Sequence, residues 1–196
     1  MAIEQKLFSD AFSARLSVSS DVTNRLQRVV QLARIEPGMN VLDVGTGTGS
    51  LITTLLERMQ AQGHICGIDL SIPALRTAME LRFPACVRLL DADIHDLDHI
   101  DGSYHRVICH TVIHQLRDRA AALANIYRML TPGGMVIVSH SAGWERVHNI
   151  APCWHTDCEH LMPSDAQMRE LLEQTGFVSI ETINEPEFRL YRAKRS

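Results

Sequence analysis

The sequence predicts an α/β protein in which a mostly parallel sheet is covered by helices on both faces. Short apolar segments of strand length alternate with amphipathic segments of helix length, which is the order of elements that builds a parallel sheet. The last two strand-like segments are separated only by Asn184-Glu185-Pro186, and so short a connection requires an antiparallel pair. No repeat or linker divides the 196 residues, so we expect a single domain at 1–196.

The predicted helices follow from apolar side chains at helical spacing and from residues that begin or end a helix. Ser20 or Asp21 is a suitable N-cap, Pro73 fits a first turn, and Gly176 suits a helix end. Ser164 begins a segment with the form of a capping box. These signals predict helices at about 3–16, 21–33, 50–61, 73–81, 118–130 and 164–176.

The predicted strands are short apolar segments bounded by turn signals. Pro37-Gly38 precedes the first strand, and Pro132-Gly133-Gly134 precedes the fifth. In order along the chain, the predicted strands lie at 40–44, 65–70, 87–90, 106–109, 135–139, 177–183 and 188–193.

Composition and charge exclude several classes of protein. The apolar fraction is 45%, which is enough for a sizeable core. The formal net charge is −4 and the basic residues form no broad face, so we expect no nucleic-acid partner. No apolar segment is long enough to span a bilayer and the first residues show no secretory signal, which predicts a cytoplasmic protein without membrane contact. The five cysteines are then expected to be reduced.

A glycine-rich loop, 45–49, follows the first predicted strand and opens a helix. Glycine permits positive φ and lacks the Cβ that would keep a ligand away from the backbone. The spacing is G-x-G-x-G, whereas a dinucleotide site has G-x-G-x-x-G and a P-loop needs a Lys-Ser/Thr pair. Taken alone, the loop is also compatible with a tight turn whose glycines are purely structural.

Acidic side chains end the first three predicted strands on the side where open α/β sheets bind ligands. Asp43 precedes the glycine-rich loop, Asp69 ends the second strand, and Asp91 ends the third, with Ala92 and Asp93 after it. A carboxylate at the second strand end can accept two hydrogen bonds from a ribose diol. An acid at the third can accept a hydrogen bond from the exocyclic amine of an adenine. The pattern predicts a nucleoside site.

These segments together resemble the class I S-adenosylmethionine-dependent methyltransferases. The resemblance favours the small-molecule branch, related to quinone-biosynthesis C-methyltransferases and to small methyltransferases of anaerobic bacteria. It implies a Rossmann-like three-layer sandwich with a seven-stranded sheet, mostly parallel, whose last strand is antiparallel. One departure is Tyr104-His105, where the family usually has Phe-Asp. The similar segments are 37–49, 67–71, 91–92, 128–134 and 175–177.

The resemblance also implies which residues bind S-adenosylmethionine. Asp43 and the loop backbone would hold its methionine part, Asp69 its ribose hydroxyls, and Leu70 one side of its adenine. Asp91 and the Ala92 amide would read the adenine edge, and His110 would lie near the cofactor at the fourth strand end. The complete set of matching positions is Asp43, Gly45, Thr46, Gly47, Gly49, Asp69, Leu70, Asp91, Ala92, Asp93 and His110.

The second half of the chain is rich in histidine near predicted strand ends. His114, His140 and His155 are candidates for a general base and for substrate contacts. They are also candidates for a metal site, with Cys153, Cys158 or His160 as further ligands, although the spacing matches no standard zinc finger. Ordinary hydrogen-bonded or solvated histidines are the third interpretation.

Three functions remain open from the sequence. The first is methyl transfer to a small molecule, with the segments 1–35 and 141–163 covering the substrate. The second is methylation of RNA or protein, which the acidic charge and the lack of an added binding domain disfavour. The third is a non-catalytic accessory protein that binds S-adenosylmethionine. The sequence does not determine the methyl acceptor or the oligomeric state.

Overall fold

The structure, a computed structural model, describes residues 20–97, 102–140 and 162–196. The strands are β1 (Asn40–Val44), β2 (His64–Asp69), β3 (Val87–Asp91), β4 (Tyr104–His110), β5 (Leu130–His140), β6 (Phe177–Glu185) and β7 (Phe188–Arg195). The helices are α1 (Ser20–Leu32), α2 (Ser50–Met59), α3 (Ile72–Glu80), α4 (Arg119–Met129) and α5 (Asp165–Thr175). A short 3-10 turn, Ile113–Gln115, follows β4.

All seven strands form one sheet in the order β3-β2-β1-β4-β5-β7-β6. The first five strands pair in parallel, and β7 runs antiparallel to both of its neighbours, β5 and β6. The predicted fold class, a mostly parallel seven-stranded sheet with an antiparallel last strand, is therefore confirmed.

Two apolar clusters cover the two faces of the sheet, because successive side chains of a strand point to opposite faces. Val107 and Cys109 of β4 contribute to the cluster that includes buried residues of α4 and α5. Ile108, between them, contributes to the other cluster, which includes buried residues of α1 and α2. The result is the three-layer arrangement that the alternating sequence pattern predicted.

The order of the strands reverses at β1, whose neighbours are β2 on one side and β4 on the other. The connections that follow β1 and β4 therefore leave the sheet in opposite directions, and their separation opens a crevice at the carboxyl ends. The glycine-rich loop after β1 lies at this crevice. The path of the backbone alone therefore places the candidate site at this crevice.

Several predicted boundaries differ from the structure by a few residues, and two of these differences have local reasons. The strand predicted at 135–139 begins at Leu130, because the pairing of β4 with β5 shifts between Tyr104 and Arg106 and accommodates the predicted turn as a bulge. The helix predicted at 50–61 ends at Met59, because Gln60 and Ala61 adopt positive φ. The helix predicted at 3–16 lies outside the described residues.

Candidate functional site

The glycine-rich loop has a left-handed backbone at all three glycines, with φ of 72° at Gly45, 56° at Gly47 and 83° at Gly49. A Cβ on Gly45 would lie 2.6 Å from Cγ2 of Val112, and one on Gly49 would lie 2.8 Å from the Phe83 ring. Packing therefore requires these two glycines. A Cβ on Gly47 would have no described atom within 4 Å, so this peptide faces open space and is accessible to a ligand.

Backbone hydrogen bonds fix the loop to the neighbouring strand. The amides of Gly45 and Thr46 both donate to the carbonyl oxygen of Ile68 in β2, each at 2.9 Å. The loop then turns into α2, whose N-cap is Gly49, and that N-cap makes no side-chain hydrogen bond to the helix. The first amides of α2, which have no partner within the helix, suit an electron-rich ligand atom, and the open side of Gly47 leaves room for that ligand to approach.

Asp43 is only 1% exposed, and its carboxylate accepts a 2.7 Å hydrogen bond from the Thr46 hydroxyl. The pKa of Asp43 is raised to about 7, because burial and, to a smaller extent, the charge of Asp69 raise it more than the hydrogen bond from Thr46 lowers it. The carboxyl group therefore ionises near neutral pH. A cation bound close to it would favour its charged form.

Asp69 joins the end of β2 to the glycine-rich loop. Its Oδ2 accepts a 2.7 Å hydrogen bond from the Gly47 amide, and its Oδ1 accepts a 2.8 Å hydrogen bond from the Ser71 amide. Each carboxylate oxygen retains acceptor capacity after these bonds. Since the side chain is half-buried, a ligand at the crevice can reach that remaining capacity.

Leu70 follows Asp69 and is 66% exposed, which is unusual for a large apolar side chain at a strand end. Ile72, at the start of α3, is also exposed. Both side chains offer apolar surface beside the carboxylate of Asp69, and a flat aromatic ring could pack against that surface.

The two acids after β3 have different surroundings. Asp91 is exposed and lies opposite Asp69 in the parallel register of β2 and β3, with the Ala92 amide 3.4 Å from the Asp69 carbonyl. Asp93 instead accepts a 2.9 Å hydrogen bond from the His95 amide and also contacts the His95 ring. Burial raises the pKa of Asp93, but the hydrogen bonds from His95 outweigh it, so the pKa lies below its usual value.

His110 ends β4 at the crevice, and its Nδ1 lies 2.9 Å from the Ser139 hydroxyl. Burial lowers the pKa of His110 to about 4, and the neighbouring His140 acts in the same direction. The ring is therefore neutral at physiological pH and does not repel a positively charged ligand. Cys109, the residue before it, is fully buried and burial raises the pKa of its thiol to about 12, so it is unreactive.

The structure brings two of the three candidate histidines together. His114, in the 3-10 turn after β4, and His140, the last residue of β5, have ring centroids 5.5 Å apart in an edge-to-face arrangement. His155 lies outside the described residues, as do Cys153, Cys158 and His160. Within the described ranges, no group of three or more His, Cys, Asp or Glu side chains is placed to hold a metal ion. The roles of these histidines stay predictions.

Val112 belongs to the crevice but was missed by the sequence reasoning. Its side chain closes the space behind Gly45 and so fixes the path of the loop. An apolar residue directly after a strand gives no functional signal, and only the pairing of β1 with β4 brings it to the loop.

Comparison with known proteins gives concordant matches. The profile of a family described as a methyltransferase domain matches residues 35–187. A demethylmenaquinone methyltransferase of Listeria monocytogenes is 24% identical over 191 residues, which cover 81% of this chain and 78% of that protein.

Solved structures show the same fold. A SAM-dependent methyltransferase from Aquifex aeolicus superposes with a TM-score of 0.74 at 17% identity, over 96% of this chain and 98% of that one. A phosphoethanolamine N-methyltransferase 2 of Haemonchus contortus, in complex with S-adenosyl-L-methionine, superposes with a TM-score of 0.72 at 18% identity, over 88% and 52%. In the part of the chain that the structure describes, no helix is both long and apolar enough to cross a membrane.

Proposed function

Since this chain belongs to the methyltransferase domain family, we propose that it transfers a methyl group to a small-molecule acceptor. The chain is an S-adenosylmethionine-dependent methyltransferase, and the proposal concerns the acceptor and the residues that act. A small acceptor is supported by the demethylmenaquinone methyltransferase among its relatives and by its net charge of −4, which disfavours RNA.

One observation carries the assignment of the cofactor site: the carboxylate of Asp69 accepts a hydrogen bond from the Gly47 amide, which joins the end of β2 to the glycine-rich loop at the crevice. In our proposal Asp69 also accepts hydrogen bonds from the ribose hydroxyls, and the open side of Gly47 receives the methionine part. The exposed Leu70 packs on the adenine, and Asp91 with the Ala92 amide binds its edge.

The remaining positions of the predicted site take supporting roles in this proposal. Asp43 holds Thr46, and Gly45 and Gly49 keep the loop in its conformation. The neutral ring of His110 fits beside a sulfonium cation because it adds no positive charge. Asp93 accepts hydrogen bonds from His95 and contacts the adenine with its remaining acceptor capacity.

Bound S-adenosylmethionine supplies a methyl group already activated by its sulfonium. The chain must therefore orient the acceptor. Good alignment of the two reactants lowers the activation free energy by about 7–11 kcal/mol. Where the substrate loses a proton on methylation, a basic side chain must take up that proton, which raises the rate by a further ~10²–10⁴-fold. We assign proton acceptance to the pair His114 and His140, at the carboxyl ends of β4 and β5. The segments 1–35 and 141–163 would complete the substrate cover.

Turnover of acceptors tests the proposed function directly. The full chain would be incubated with S-adenosylmethionine and separate pools of phenols and quinols, amines, carboxylates, total RNA and denatured protein. We expect S-adenosylhomocysteine to accumulate with one of the small-molecule pools only. Accumulation with RNA or protein alone would refute the small acceptor, and failure to bind S-adenosylmethionine in a calorimetric titration would refute the cofactor site as well.

Gly47→Ala is expected to weaken S-adenosylmethionine binding about 10-fold or more, because the new methyl occupies the open side of the loop. Left-handed φ alone costs alanine about 1–2 kcal/mol of stability. Gly133→Ala is the matched control, since Gly133 also has positive φ and open space around its Cβ position but lies in the bulge of β5. Both variants should lose similar free energy of unfolding. Equal affinity for S-adenosylmethionine in the two would contradict the assignment of Gly47.

A metal held by His114, His140 and His155 remains an alternative use of the histidines. It predicts stoichiometric metal in protein purified without a His-tag, and loss of that metal in His140→Ala. Elemental analysis of both proteins distinguishes a metal site from a proton acceptor, because metal-free active protein would exclude the former.

A further inference from the structure

Arg189 is a fully buried arginine near the start of β7, only 1% exposed. In the antiparallel register it lies opposite His140, the last residue of β5. Opposite residues of an antiparallel pair project from the same face with Cβ atoms about 5 Å apart. Arg189 therefore projects beside His140 at the carboxyl edge of the sheet, the edge at which methyl transfer takes place.

Contacts to α5 and to the segment before it hold this guanidinium in one orientation. Its Nε and Nη2 donate to Oδ1 of Asp165, at 3.2 and 2.6 Å, and Nη2 also donates to the Pro163 carbonyl at 3.0 Å. Burial raises the pKa of Asp165, but hydrogen bonds from Tyr191, Arg189 and Asn184 outweigh it and lower the pKa below its usual value. The carboxylate is thus ionised and rigidly paired.

The third nitrogen of this guanidinium, Nη1, is enclosed and has no hydrogen-bond partner among the described residues. Arginine is permanently protonated and only donates, so the two N–H groups of Nη1 need an acceptor. Leaving a charged donor unsatisfied is expensive, and buried groups of this kind call for an explanation. The attachment of α5 to β7 does not explain the unpartnered Nη1, because Nε and Nη2 already make that connection.

Arg192 shows what a merely structural arginine looks like in the same strand. Its guanidinium donates to the Leu32 carbonyl at 2.9 Å, which attaches α1 to β7, and it also pairs with Glu181 of the neighbouring strand β6. It lies opposite Ile137, three positions from Arg189 and on the other face. Arg192 is less buried than Arg189, with 13% of its side chain exposed against 1%, and it also has one enclosed nitrogen without a described partner, Nε. It is therefore a control for charge and for an unpartnered guanidinium nitrogen in the same strand.

We propose that Nη1 of Arg189 binds an anionic oxygen of the methyl acceptor, which places that oxygen beside His140 and His114. The inference rests on the proposed small-molecule function and narrows it to acceptors that carry a carboxylate, phosphate or similar oxyanion. A charge-assisted hydrogen bond from a fixed donor provides both affinity and orientation. The acceptor group then faces the pair of histidines that we assign to proton acceptance.

The test uses the full chain saturated with S-adenosylhomocysteine, so that the cofactor site is filled before a probe is added. Benzoate and phenyl phosphate serve as anionic probes, and benzamide is the neutral analogue of benzoate. Binding is measured by calorimetry for the wild type, Arg189→Lys and Arg192→Lys. Lysine at position 189 can still pair with Asp165 but cannot supply the fixed Nη1 donor.

We expect at least one anionic probe to bind the wild-type complex, at least ~10-fold more tightly than benzamide. Arg189→Lys should lose about 10-fold or more of this affinity, while Arg192→Lys keeps it and both bind S-adenosylhomocysteine normally. Absence of binding by either anion, equal binding of benzamide and benzoate, or an unchanged affinity in Arg189→Lys would overturn the inference. Failure to bind S-adenosylhomocysteine at all would instead refute the cofactor site, so the two failures are distinguishable.

Discussion

Asp69→Ala is expected to weaken S-adenosylmethionine binding by ~100-fold or more, because hydrogen bonds to a charged group are worth about 1.5–3 kcal/mol each. The change removes the proposed acceptor of two ribose hydroxyls. It also releases the Gly47 and Ser71 amides, so the loop loses the side-chain contact that joins it to the end of β2. Calorimetric titration of the purified variant with S-adenosylmethionine measures the effect.

The control for this substitution is Asp96→Ala. Asp96 is a largely exposed aspartate, and its only described salt bridge is with the exposed Arg117. Its removal changes the net charge by the same amount and should leave the affinity unchanged. A loss in Asp69→Ala of less than about 3-fold, well below one such hydrogen bond, would show that the ribose is bound elsewhere.

Asp43→Asn is expected to stabilise the protein without cofactor while weakening its affinity for S-adenosylmethionine. The folded pKa of Asp43, about 7, lies above its ordinary value of 3.8, so the folded state binds the proton more tightly than the unfolded state. Ionisation of Asp43 therefore removes stability as the pH rises through about 7, and the full contribution is present only below about pH 4. Asparagine carries no such penalty and can still accept the Thr46 hydrogen bond.

Urea unfolding across pH measures this effect. Above pH 8 we expect Asp43→Asn to exceed the wild type in free energy of unfolding by a few kcal/mol, at about 1.4 kcal/mol per pKa unit. The difference should shrink towards zero near pH 4. The affinity of the wild type for S-adenosylmethionine should fall as the pH drops below 7, whereas that of the variant should be lower and independent of pH in this range. A constant stability difference from pH 4 to 8.5 would contradict the ionisation of Asp43 in the fold.

The fold and the cofactor loop could be predicted because their signals are local. Positive φ at Gly45, Gly47 and Gly49 follows from residue type, and Asp69 lies at a strand end that its neighbours define. The antiparallel β7 followed from a connection too short for a crossover. Each of these inferences needs only a few consecutive residues.

The rest of the candidate site depends on contacts between distant segments. In the sequence, Arg189 is one of several basic residues in the C-terminal strand and has no distinguishing feature. In the structure, β7 pairs with β5, and Arg189 is buried opposite His140. Asp91 and Asp93 cannot be told apart in the sequence, but of the two acids Asp93 is the one bonded to His95 in the structure. The beginning of β5 was misplaced because a bulge and a turn have the same Pro-Gly-Gly signal.

A crystal structure of the full chain with S-adenosylhomocysteine tests the assignment of the cofactor site most directly. We expect both ribose hydroxyls on the carboxylate of Asp69, the adenine against Leu70 with its edge at Asp91 and Ala92, and the methionine part over Gly47. The sulfur should face the crevice between His110 and the pair of His114 and His140. A ligand bound away from the carboxyl ends of β1 and β2, or a ribose without contact to Asp69, would contradict it.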